Sequence, residues 1–163
     1  MVRDKAGNVY GTTQIGGMGG DGEVFKVDTA GTETVLHSFT GPDGIEPSAS
    51  LVRDKEGNLY GTTAAGNFPS VGTVFKLDTT GTETVLHSFT GPDGSLPLAP
   101  LVRDKAGNLY GTTWGGGAFG QGTVFKLDTA GTETVLHSFT GPDGANPLAY
   151  GPDTTVRVTA VGV

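Results

Sequence analysis

At 163 residues and a formal net charge of -7, with only 10 Lys and Arg, the chain has the length of one domain and no basic stripe for a phosphate backbone, so no nucleic-acid partner is expected. It has no cysteine, which excludes a disulfide framework, a thiolate nucleophile and a Cys-based zinc site. Its longest apolar runs are a few residues, far below the roughly 20 of a membrane-spanning helix, so no membrane span is expected.

The elements recur with a period of 50 residues, in copies 1–50, 51–100 and 101–150, followed by 151–163. A fixed period of this size marks a solenoid, a propeller or a threefold barrel. In the third copy Leu101-Val102-Arg103-Asp104 reads as a short strand. Lys105 to Asn108 then turns the chain into a second strand, Leu109 to Thr113, because Gly107 and Asn108 tolerate the left-handed backbone of a tight reversal. Gly122 to Asp128 alternates, with Thr123, Phe125 and Leu127 on one face and Val124, Lys126 and Asp128 on the other, as a half-buried strand does. After the turn Thr129 to Thr132 comes a fourth strand, Glu133 to Thr140, closed by Gly141-Pro142-Asp143-Gly144. The 29 glycines thus punctuate strands, and no stretch holds helical spacing over three turns.

The expected fold is all-β: a β-propeller-like array of three four-stranded antiparallel blades. Three is below the four to eight blades typical of propellers, so a closed threefold β-trefoil or β-prism is the alternative. The propeller reading leaves sheet edges exposed, and self-association through those blade edges is expected. Val156, Val158 and Ala160 alternate with Thr155, Arg157 and Thr159, so residues 151–163 read as one more strand or an irregular tail.

The hairpin Asp104-Lys-Ala-Gly-Asn-Leu-Tyr-Gly-Thr-Thr113, the strand Gly122-Thr-Val-Phe-Lys-Leu-Asp128 and the Thr-Glu-Thr-Val-Leu-His-Ser-Phe-Thr strand with its Gly-Pro-Asp-Gly turn resemble the GloVer-type tandem repeat of bacterial surface and secreted proteins. The resemblance covers all three copies. It implies a propeller-like repeat, a secreted or cell-surface location and varied C-terminal anchors, with no catalytic motif and no functional residue to carry over. Met1 leads straight into a charged turn, so no targeting signal is read here.

The copies differ mainly in two loops: 14–23, 64–73 and 114–123, then 45–50, 95–100 and 145–150. A rigid scaffold with variable loops is a common way of placing binding groups. Trp114, Phe119 and Phe68, with Gln14, Asp21 and Gln121 beside them, are therefore the candidate ligand-binding residues, suited to a sugar or a peptide. Unconstrained drift of exposed loops is the plainer explanation.

Three equivalent histidines, His37, His87 and His137, would form a zinc set only if a threefold axis gathered them, and a propeller holds them apart at its rim. No metal or cofactor is expected. Asp4, Asp54 and Asp104 read as caps of their own turns, since one turn supplies too few oxygens for calcium. Ser38 and His37 point to opposite faces of their strand and cannot share a proton, and symmetric carboxylates offer like environments where an acid–base pair needs unlike ones. The expected function is a non-enzymatic repeat module binding carbohydrate or protein through its variable loops. A structural spacer, or a fragment of a longer surface propeller, is the alternative, and a glycan-acting hydrolase the third reading.

Overall fold

The computed structural model describes residues 1–66 and 69–148. Each copy folds into one antiparallel meander whose strands lie side by side in chain order. The first sheet is β1 (Val2–Arg3), β2 (Val9–Thr13), β3 (Glu23–Val27) and β4 (Glu33–Ser38). The second is β5 (Val52–Arg53), β6 (Leu59–Thr63), β7 (Thr73–Leu77) and β8 (Glu83–Ser88), and the third is β9 (Val102–Arg103), β10 (Leu109–Thr113), β11 (Thr123–Leu127) and β12 (Glu133–Ser138). Every regular element among the described residues is a strand, and each four-strand ladder is contained in one repeat.

The turns follow from local hydrogen bonding. Asp4 accepts from the Asn8 amide at 2.9 Å, from Asn8 Nδ2 at 2.8 Å and from the Tyr10 hydroxyl at 3.0 Å, so one carboxylate closes the β1–β2 hairpin. The Asn8 side-chain bond leads in holding its carboxyl down at about 2. Asp54 and Asp104 repeat the arrangement. Gly107 takes the left-handed conformation, whereas Asn108 instead serves as the donor to Asp104.

In each outer pair of strands the register shifts, as at Val24/Phe25, so that Val24 lies opposite His37 and Phe25 opposite Val35. Leu36 is the extra residue of this bulge. The shift puts His37 on the same face as Val24, where its ring meets Phe39 edge-on at 4.9 Å.

The three sheets stack face to face. At the first seam Val24 and Phe39 pack on Leu51, Leu59, Phe75 and Leu77. At the second, Tyr60, Val74 and Phe89 pack on Leu101, Leu109, Phe125 and Leu127. The middle sheet is therefore buried on both faces, Val74 and Phe75 alike at 0% exposure. Simple alternation would have buried only the Phe75 side. The array is propeller-like and does not close among the described residues. The strand expected within 151–163 lies outside them.

The Gly41–Gly44 turn locks the first seam. Gly44 has φ +128 and lies so close to Thr63 that a Cβ there would run into that side chain. Thr63 and Thr73 share a hydroxyl hydrogen bond of 2.8 Å, and Thr73 Oγ1 donates to the Asp43 carbonyl at 3.4 Å. Gly94 against Thr113, with Thr123 donating to the Asp93 carbonyl at 3.2 Å, repeats this at the second seam.

Candidate functional site

The β2–β3 loop, the Gly-Pro-Asp-Gly turn and the linker to the next sheet all lie at one end of each sheet, because β2 and β4 both run toward that end. The linker ties neighbouring loops together. Glu46 N donates to the Asp21 carbonyl at 2.9 Å while the Glu46 carbonyl accepts from Ala64 N at 3.1 Å. At the next linker Leu96 N donates to the Val71 carbonyl and its own carbonyl accepts from Trp114 N, each at 2.9 Å. Glu46 and Leu96 face N–H to one blade and C=O to the next at φ 57 and 55, and Asn146, whose N–H donates to the Gln121 carbonyl, has φ 50. Only the third of these, an asparagine, is a residue that visits the left-handed region readily.

A second constellation sits at the seams. Asp43 Oδ1 accepts from Thr40 N at 2.9 Å, which leaves Oδ2 to His37 Nε2 at 2.8 Å. Burial pushes Asp43 upward, but the Thr40 amide and the His37 bond outweigh it and its carboxyl lies below the usual range. Glu83 of the next sheet brings its carboxylate up to this pair, with one ligand atom from each residue within 4.8 Å of the others. Its Oε1 is buried without a hydrogen-bond partner. Burial, and then the Asp43 charge, push Glu83 up to about 7. Glu133 is near enough to His87 and Asp93 to feel their charges and is raised first by burial, whereas Glu33 is exposed. The expectation that symmetric carboxylates share one environment thus fails: among the described residues, only the second and third sheets have a preceding sheet packed against theirs. Mixed nitrogen and oxygen donors of this kind can hold a divalent cation. Thr40 and the direct His37–Asp43 bond account for the orientation of the pair without one.

A model of the Gloeobacter/Verrucomicrobia repeat matches residues 1–160. The chain belongs to this repeat family. No curated protein matches it. Among solved structures it is similar to a candidate 6-phosphogluconolactonase from Bacteroides fragilis NCTC 9343, with 20% identity, a TM-score of 0.47, and 78% of this chain and 33% of that one covered. It is also similar to one from Bacteroides uniformis ATCC 8492, with 25% identity, a TM-score of 0.48, and 83% and 39% covered. The chain therefore spans well under half the length of these structures.

Within the repeat-family scaffold the sequence-predicted site residues fall on two separate loops. Trp114, Phe119 and Gln121 occupy the β10–β11 loop, and Gln14 and Asp21 the β2–β3 loop, with the second sheet between them. Phe68 lies outside the described residues. Trp114 is 39% and Phe119 60% exposed. The Trp114 main chain is held on both sides, by Leu96 at its N–H and by Asn146 Nδ2 donating to its carbonyl at 2.8 Å. Asp21 and Gln121 are half-buried and accept linker amides through their carbonyls, so their backbone is structural whatever their side chains do. Sequence reasoning weighed aromatics and missed Ile15 and Met18, which are 75% and 95% exposed on the same loop as Gln14. Apolar residues amid the glycines of that loop were the signal. At the opposite, hairpin-turn end lies a hollow whose lining includes Arg3, Asp4, Lys5, Arg53, Asp54 and Lys55.

Proposed function

We propose that this chain is a non-enzymatic scaffold that binds a protein partner through the β2–β3 and β10–β11 loops. The observation that carries this reading is the pairing of a pinned backbone with exposed apolar side chains: Trp114 is fixed at N–H and carbonyl, while Trp114, Phe119, Ile15 and Met18 stand in solvent. Isolated exposed apolar residues are ordinary, but aromatics and methionine held on rigid loops match the composition of protein interfaces and lose little entropy on binding. Carbohydrate is the second reading, favoured by Trp114 and the amide of Gln121 sharing one loop. The resemblance to surface and secreted repeats makes an extracellular setting part of the proposal.

Parallel screening on a displayed peptide library and a glycan array tests it, with the intact chain compared against Trp114→Ala and Met18→Ala. Enriched peptides whose binding falls at least about tenfold in either variant support the protein reading. Glycan binding lost only with Trp114→Ala selects carbohydrate. Binding to neither, or binding indifferent to both substitutions, leaves the spacer reading.

A further inference from the structure

We propose that a second copy of this chain docks head-to-tail on the first, the outer face of its first sheet lying on the outer face of the third sheet. The argument is that both internal seams are built from the same pairs, and that the two outer faces carry the unmatched halves of those pairs. Phe39 meets Phe75 at 5.1 Å and Phe89 meets Phe125 at 5.0 Å, which leaves Phe139 and Phe25, both half-buried, without counterparts among the described residues. Arg53 lies over the Tyr10 ring at 5.7 Å and Arg103 over Tyr60 at 5.5 Å, leaving Arg3 on the first sheet and Tyr110 on the third. Glu83 and Glu133 approach the His–Asp pairs before them, leaving exposed Glu33 and the pair His137–Asp143. That last pair is 49% and 40% exposed, against 19% and 18% for His37–Asp43. Gly44 and Gly94 are buried against threonines, whereas Gly144 is exposed and its equivalent target is Thr13.

Each leftover half on one face thus has its complement on the other, in one register. A contact of this kind is heterologous and joins different faces, so the interface is made by sheet faces and not by the blade edges that sequence reasoning expected. Two copies would present six blades, within the four to eight typical of propellers. One position departs from the internal seams. Thr73 and Thr123 each donate to a turn carbonyl, but the first sheet has Glu23 there, and Thr13 Oγ1 is buried without a partner. The seam between copies therefore lacks one hydrogen bond and is weaker than the seams within a chain.

Sedimentation equilibrium over a wide concentration range reads the association. The expected mass rises above the 16.6 kDa of one chain with concentration. Glu23→Thr is expected to tighten association about tenfold, since it restores the hydroxyl pair and the carbonyl bond. Arg3→Glu, an exposed substitution that leaves the fold's circular dichroism unchanged, is expected to weaken association by at least as much. Because the chain has no cysteine, Glu33→Cys and Asp143→Cys copies can be mixed with a short bismaleimide: the heterologous seam links the mixture and not Glu33→Cys alone. A strict monomer for both the native chain and Glu23→Thr overturns the proposal, as does an oligomer in which Glu33→Cys links to itself.

Discussion

Phe39 and Phe75 meet edge-on across the first seam, their ring centroids 5.1 Å apart and their planes at 69°, and both side chains are wholly buried. Phe89 and Phe125 repeat this at 5.0 Å and 68°. Edge-to-face packing at this spacing adds about 0.5–1.5 kcal/mol beyond area burial, so these ring pairs reinforce the apolar packing that fastens the blades.

Identical residues should therefore differ in weight according to their seam. Phe89→Ala is expected to lower unfolding free energy by about 3–5 kcal/mol, as large-to-small changes in a closed core do. Phe139→Ala, at the half-buried equivalent position, should cost distinctly less. Urea titrations of dilute protein compare the two, and equal losses would refute the difference.

Gly44→Ala and Gly144→Ala separate backbone strain from seam contact. The two glycines have φ +128 and +125, so each substitution costs about 1–3 kcal/mol for conformation alone. Only at Gly44 does the new methyl run into Thr63. Gly44→Ala should therefore lower the thermal midpoint further than Gly144→Ala.

Glu83 makes stability depend on pH in the direction opposite to an ordinary ion pair. Its carboxyl is raised from 4.5 to about 7 by burial and by Asp43, so the neutral acid is the form the fold favours. The contribution is complete below about 4.5 and is lost as pH rises through 7. Glu83→Gln removes that loss, so the variant's stability relative to the native chain should increase between pH 5 and 8. Asp43 acts in the other sense, its lowered carboxyl losing stabilisation only as the solution becomes strongly acid. Denaturant midpoints at several pH values check the sign.

Leu96→Asn should stabilise. Leucine at φ 55 is strained, and the third copy already has Asn146 at the equivalent position with φ 50. Relief of about 1 kcal/mol is expected in unfolding free energy, because the backbone bonds to Val71 and Trp114 remain. A lower midpoint would show that the Leu96 side chain packs favourably enough to offset its backbone.

Much of the fold was legible because it is local. Strand alternation such as Thr123-Phe125-Leu127, and the Asp4-to-Asn8 turn, depend on residues a few positions apart, and the structure places both as read. The His37–Asp43 pair was not legible. It needs the bulge that moves His37 to the Val24 face and a turn that carries Asp43 back to it, and neither shows in residue spacing. The candidate loops were found by comparing copies, while the fastening of Trp114 joins Leu96 of the preceding repeat to Asn146, 32 positions along its own, and residue spacing shows neither contact.

By itself, the sequence determined the 50-residue unit, its four strands and its turns, since alternation, Asx capping and glycine conformation act within one copy. Only the tertiary structure decided which copies of an identical residue are buried, titrate abnormally or stay exposed. Glu33, Glu83 and Glu133 share one local sequence, yet Glu83 and Glu133 are desolvated and Glu33 is exposed. Desolvation depends on what packs across a seam, and among the described residues three blades in a row form two seams and leave two faces uncovered.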